Sequence, residues 1–332
     1  MATSEVATIM KKTALVLALF ALSLPIYGRN LSRLSRMKAV NAASLTVTPV
    51  DPALPARLLG QLQARRAAVH NGVRAAAVSD PVSARSLVFP AAGSLAGGGG
   101  TLFFRSDVTL VNYRATPQLV LAGIWVAGTT NSLDASGYKS ITLQPNSFVT
   151  VQDFVVNTLG KSNVLGAVII IPYTGTDIDP AGAVDGFSRI YTKQPGSNGT
   201  VSQPFDAVDP DTFSAVLKDE AVSLGLRHDA DFRTNFGIVN VDSLQRTYKV
   251  TFIGEKLTTN LTMTVPPFGM IQQAIPAGDY GALQIVFQVT DAGQDFVSWV
   301  GYGSSTDNIT GDGWVSLASA DLTPDELTSI GY

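Results

Sequence analysis

The chain contains no cysteine. Disulfides, thiolate zinc sites and iron–sulfur clusters are therefore excluded. Histidine is nearly absent: His70 and His228 are the only two, too few for multi-histidine metal cages and for most histidine relays. Charged residues make up 15% of the 332 positions, against a usual share of about 25%. Apolar residues make up 45%, so the chain is no solvated, disordered polymer and can bury a sizeable core. No GxSxG, HExxH, Walker or dinucleotide pattern occurs. The glycines at Gly97–Gly100 lack the lysine a phosphate loop needs.

Long apolar runs are equally scarce. One stretch, Ala14 to Ile26, follows Met10-Lys11-Lys12 and is closed by Gly28. A charged start, a short apolar run and a small residue predict a secretory signal over residues 1–28. The run is too short for a comfortable membrane span, so no transmembrane segment is expected in the mature chain. Export without cysteine points to bacterial secretion, into the periplasm, onto the cell surface or outside the cell.

Charge divides the remainder. Residues 29–100 carry nine basic and two acidic side chains, and residues 101–332 carry twelve basic and twenty-three acidic ones. The Ala-rich basic segment, 29–85, predicts one helix near 53–70. Pro55 stands at its start, and Leu58, Leu62 and Val69 share a face. The arginines are spread out with no aromatics between them, so nucleic acid is not an expected partner.

The body repeats. Phe104–Asn112 reads FRSDVTLVN and Phe232–Asn240 reads FRTNFGIVN. Ser140–Gln152 then matches Leu261–Gln273, Leu165–Ile171 matches Tyr280–Val286, and Phe187–Tyr191 loosely matches Phe296–Tyr302. Matches in the same order predict a duplication. Alternating apolar residues and frequent Pro/Gly/Asn turns make each unit β. The expected fold is all-β: two tandem immunoglobulin-like β-sandwiches over 86–205 and 219–320. A linker at 206–218 joins them. Thr323-Pro324-Asp325-Glu326 predicts a short helix or tail over 321–332.

The patterns FFRSDVTLVN, ITLQPNSFVTVQDFV, LGAVIII, SRIYT, GTVSQPF and GLRHDADFRTNFGIVN resemble a tandem β-sandwich domain family of secreted bacterial proteins, mostly hypothetical. The resemblance spans about residues 86–318 and implies an extracellular β-sandwich without an assigned activity. Repeat 2 departs from the pattern: Ser298-Trp299 stands in the place of Ser188-Arg189, and the GTxxQ signature is missing.

Chemistry-bearing residues are few. His228 has no counterpart in repeat 1 and reads as a loop histidine. Asp177, Asp179, Asp185, Asp206, Asp209 and Asp211 gather in loops, as ordinary turn residues or as a weak calcium site, with paired carboxylates for glycoside hydrolysis as a further reading. The loop Asp307–Gly313 is the calcium candidate, with Asp307 and Asp312 as ligands; no other cofactor is expected. Trp125 and Trp299 fall in β patterns and read as packing, while Trp314 is the candidate sugar platform. The duplicated residues Arg105, Asp107 and Asn112, with Arg233, Asn235 and Asn240, read as structural, each arginine a clamp to a nearby carboxylate or carbonyl.

One asymmetry predicts a contact. Carrying the register forward from Asn112 and Asn240 turns Val120, Ala122 and Ile124 inward, as it does Tyr248, Val250 and Phe252. The opposite face is polar in repeat 2 (Thr247, Lys249, Thr251) but apolar in repeat 1 (Leu119, Leu121, Trp125). Such a strip needs a cover, and the helix near 53–70 is the nearest one. These features lead to the expectation of a secreted, non-enzymatic structural or adhesive protein with an extracellular protein or glycan partner. A carbohydrate- or calcium-binding module is the alternative, and a carboxylate hydrolase a further one.

Overall fold

A computed structural model describes residues 37–70, 86–97, 100, 102–130, 133–194, 196–210, 220–292 and 297–319. The expected signal peptide and the C-terminal helix lie outside the described residues. Residues 40–332 form one compact unit. Residues 1–39 form another, described only from residue 37, where the strand β1 (Lys38–Val40) opens.

The chain is mostly β, as the alternation predicts. After β2 (Thr46–Pro49) and α1 (Leu54–His70) come β3 (Leu87–Gly97), β4 (Leu102–Asn112), β5 (Gln118–Val126), β6 (Tyr138–Leu143) and β7 (Ser147–Val151). A single-turn helix α2 (Phe154–Asn157) precedes β8 (Val164–Thr174), β9 (Asp177–Ile178), β10 (Val184–Lys193) and β11 (Thr200–Asp206). The second half holds β12 (Glu220–His228), β13 (Phe232–Asn240), β14 (Arg246–Gly254) and β15 (Thr258–Val265). It continues through β16 (Gly269–Ala274), β17 (Gly281–Val289), β18 (Trp299–Asp307) and β19 (Gly313–Leu317).

Both halves pair their strands in the same order. Sandwich 1 stacks a layer β3-β8-β5-β6, extended by β2, on a layer β7-β4-β10-β11. Sandwich 2 stacks β12-β17-β14-β15 on β16-β13-β18-β19. Leaving aside the two-residue β9, which has no counterpart among the described residues of the second half, the seventh strand, β10 or β18, lies beside the second, β4 or β13. In the immunoglobulin order the last strand instead neighbours the strand before it, so these sandwiches depart from the expected immunoglobulin arrangement. The first strand of each half also carries a register shift, after Phe89 in β3 and after Ser223 in β12. Past its shift β3 changes layers, and Leu95–Gly97 pairs with β4.

Strand partners correct the sequence register. Ser147 and Gly269 face Asn112 and Asn240, one residue away from the sequence match. Val184 and Trp299 face the same two asparagines. Arg189 therefore corresponds to Ser304, and the Ser298-Trp299 departure disappears. At the start of the expected linker, β11 runs to Asp206, and Val208 is buried and bridged to Val88 through two 2.8 Å backbone bonds; residues 211–218 of that linker lie outside the described residues.

Three cores result. Val120, Ala122 and Ile124 lie inside sandwich 1 with Phe89, Val168 and Ile170. Tyr248, Val250 and Phe252 lie inside sandwich 2 with Phe236, Phe287 and Trp299. The third core lies between the sandwiches. Leu121, Trp125, Ile169 and Ile171 from the outer face of sandwich 1 meet Val239, Met270, Val300 and Tyr302 from the outer face of sandwich 2. The remaining wall is α1, through Leu54, Leu58, Leu59 and Leu62. Spacings of four, five and eight put these leucines on one helical face. Their burial contributes about 1.5–3 kcal/mol each. Asp51 starts the helix by accepting from Ala53 N at 2.9 Å, and Pro55 sits in its first turn. The helix covers the apolar strip as expected, and sandwich 2 shares the task. Leu119 stays partly exposed, while the side chain of Val69 lies outside the described residues.

Candidate functional site

The duplicated residues have two different fates. Asn112 and Asn240 are wholly buried corner braces. The Asn112 amide donates to the carbonyls of Thr116, Leu143 and Gln144 at 2.9–3.3 Å and accepts from Arg114 N at 2.9 Å. Asn240 donates to Leu244, Val265 and Pro266 at 2.8–3.1 Å and accepts from Asp242 N at 3.0 Å. Each thereby ties the turn after its own strand to the end of the fourth strand of its sandwich, β6 or β15. An ion pair flanks each corner, Arg114 with Asp179 and Arg246 with Asp242.

The arginines diverge. Arg105 approaches Asp153 (Nε to Oδ2, 3.5 Å), while Asp107 accepts from Asp153 N at 3.1 Å. The clamp in repeat 1 thus joins Arg105 to Asp153, with Asp107 holding the Asp153 backbone. In repeat 2 the same register places Asn235 at the Asp107 position and Ile275 at the Asp153 position. Arg233 is exposed, and its one side-chain partner among the described residues is the neutral Asn308 (Nη1 to Oδ1, 3.0 Å). It is no carboxylate clamp, and an exposed contact of that kind contributes less than about 1 kcal/mol.

Arg233 and Asn235 line a cavity of about 510 Å3 between the two sandwiches. Gln272, Ser304 and Thr306 continue its sandwich 2 wall, and Phe104, Ile190, Val201 and Gln203 belong to its sandwich 1 wall. Gln203 latches the two walls: its amide donates to Ser305 O and Thr306 Oγ1 at 3.1 Å each and accepts from Ser304 Oγ at 2.8 Å. On the other side of the interface, α1 bridges both bodies. Gln61 pairs with Asp177 and Ile178 N at 2.7 and 2.9 Å, while Gln63 and Arg66 donate to Val241 O at 2.7 and 3.0 Å. Sequence reading missed these glutamines. Their signal is weak, since neutral amides on a helix or strand resemble ordinary surface.

A second surface emerges from the repeat register. On sandwich 2, Val239, Met270 and Tyr302 enter the shared core. Their equivalents on sandwich 1 are Val111, Phe148 and Phe187. Phe148 and Phe187 are each 38% exposed, and Phe103, on the same face of β4, is 42% exposed. Arg105, Asp107, Arg189 and Tyr191 lie among them, with Arg105 stacked on Phe103 at 4.8 Å and Arg189 on Tyr191 at 4.9 Å. Burial first, then Asp107, pushes the Tyr191 phenol above its ordinary range.

The other candidates take structural places. Asp307 Oδ1 accepts from Ile309 N and Thr310 N at 2.7 and 2.9 Å, and these backbone donors hold its carboxyl below the usual range. Asp312 accepts from Gly313 N at 3.0 Å. Among the described residues no group of three or more His, Asp or Glu side chains converges as a metal cage. Asp185 accepts from Tyr113 OH at 3.1 Å, Asp177 from Gln61 Nε2 at 2.7 Å and Asp179 from Ala181 N at 2.9 Å, while Asp211 lies outside the described residues. His228 Nδ1 accepts from Thr234 N at 3.0 Å, and burial lowers its basicity. Trp125 and Trp299 are fully buried. Trp125 donates to Tyr138 OH at 2.8 Å, and Gly123 admits the Tyr138 ring where a Cβ would come within 2.2 Å. Trp314 is half-buried, donates to Gly225 O at 2.9 Å and meets Phe232 edge-on.

No family model matches the chain, and no curated protein matches it. Among solved structures, the crystal structure of Thermotoga maritima 1070 aligns at 10% identity with a TM-score of 0.26, covering 31% of this chain and 94% of that one. A likeness that distant carries no argument about function.

Proposed function

We propose that this is a secreted bacterial protein, built by duplication of an immunoglobulin-related sandwich, with a non-enzymatic structural or adhesive role at the cell surface or in the matrix. The charged start and apolar run of residues 10–28 support export. One observation carries the adhesive part. Sandwich 2 uses the outer face of its β16-β13-β18-β19 layer to bind a β-sandwich, and sandwich 1 leaves the equivalent face uncovered with apolar residues at the same positions. Arg105 and Arg189 alternate there with Asp107 and Asp185, so the face is complementary to itself across a two-fold axis. The partner is a second copy of this chain.

Sedimentation equilibrium on the chain and on its Phe148→Ser/Phe187→Ser variant tests this. Both side chains are partly exposed, and an unchanged circular dichroism spectrum checks that the variant is folded. The expected result is concentration-dependent dimerisation of the wild type, lost in the variant. A wild type that remains monomeric up to about millimolar concentration, or a variant that dimerises equally, overturns the reading.

A further inference from the structure

We infer that the cavity between the sandwiches is a binding site for a small amphipathic anion, an alkyl or aryl monocarboxylate, whose charged head sits on Arg233. This goes beyond the adhesive reading, which uses a different face.

The argument starts from the internal comparison. The two arginines occupy equivalent positions, yet repeat 1 pairs its arginine with the Asp153 carboxylate, itself held by Asp107, and repeat 2 gives its arginine no carboxylate among the described residues. Asn235 and Ile275 replace Asp107 and Asp153, and Asn308 is neutral. A guanidinium keeps its charge at any ordinary pH. Arg233 is also the one charged residue among those lining the cavity. Among the described residues the neighbouring Asn235 amide has no hydrogen-bond partner, so it can donate to an anion bound at Arg233. A carboxylate suits that pair because two guanidinium N–H groups can meet its two oxygens in parallel.

The remainder of the ligand follows from the opposite wall. Leu102, Phe104, Ile190 and Val201 are apolar and half-buried, which suits a chain or ring rather than a sugar. The volume, about 510 Å3, falls within the range of about 300–1,000 Å3 typical of small-ligand pockets. Gln203 spans the floor with both ends of its amide already bonded, so it fixes the walls and leaves the head-group to Arg233. A divalent cation is excluded here by the single positive charge and the missing carboxylates.

Titration calorimetry of the full chain with decanoate, and with decanol as the uncharged control, tests the inference. Saturable decanoate binding is expected, with decanol at least tenfold weaker. Arg233→Gln should weaken decanoate at least tenfold and leave decanol unchanged. Asn235→Asp, which restores the acid of repeat 1, should do the same without removing the arginine. No saturable decanoate binding, equal binding of decanol, or full retention in both variants overturns the inference. Because Phe148 and Phe187 lie elsewhere, a failure here leaves the dimerisation result standing, and the reverse also holds.

Discussion

At the scale of single residues, the matching strand order of the two halves separates what folds the sandwich from what each half does with it. Asn112 and Asn240 keep the same pattern of bonds: three carbonyls accept from one amide, and one backbone N–H donates to it. Removing the amide leaves several buried carbonyls without a donor, and each stranded group costs about 1–3 kcal/mol. Asn240→Ala should therefore destabilise the chain by at least about 2 kcal/mol, read as a lowered denaturant midpoint. A shift within about 0.5 kcal/mol would make the corner incidental. His228 gives a pH dependence of definite sign. Its Nδ1 must be unprotonated to accept from Thr234 N, and burial holds its folded pKa below the ordinary 6.5. The unfolded chain then takes up the proton at a higher pH than the folded one, so stability falls as pH drops below about 6.5. Melting temperatures from pH 7.5 to 5.5 should show that fall, and His228→Asn, which retains an acceptor, should lessen it. A slope identical in the variant would assign the effect to other groups.

Among the elements, α1 has the largest role for its size. Its leucines fill the space between two sheet faces, and its polar side chains reach sandwich 1 through Gln61 and sandwich 2 through Gln63 and Arg66. The helix and the strip it covers are both legible in the sequence, because Leu119, Leu121 and Trp125 make that strand face apolar, whereas the second repeat carries Thr247, Lys249 and Thr251 on its outer face. The other wall is not legible. Val239, Met270 and Tyr302 read as ordinary strand residues until their partners are known, since the apolar outer face of β13 is broken by Gly237 and then by Asn235. A chain beginning at Ser86 should melt at a lower temperature than the full chain and bind more of an apolar-surface dye. An unaltered melt with no added dye binding would remove the helix from the account.

For the whole molecule, the repeat predicts two sandwiches, and the structure adds that they are joined through a core of their own. Fold class was legible because alternation is local and survives any error of register. Pairwise equivalence was less so: loops of different length shift the match by one residue at Ser147 and by more at Val184, and only the strand partners restore it. With that register, Arg233 and Phe187 acquire meaning as departures between copies. The central claim is that the two sandwiches and α1 unfold as one body. Differential scanning calorimetry of the full chain tests it most directly. The account predicts a single transition with equal calorimetric and van't Hoff enthalpies, split into two by Leu58→Asp/Leu62→Asp. Two independent transitions in the wild-type chain would contradict it.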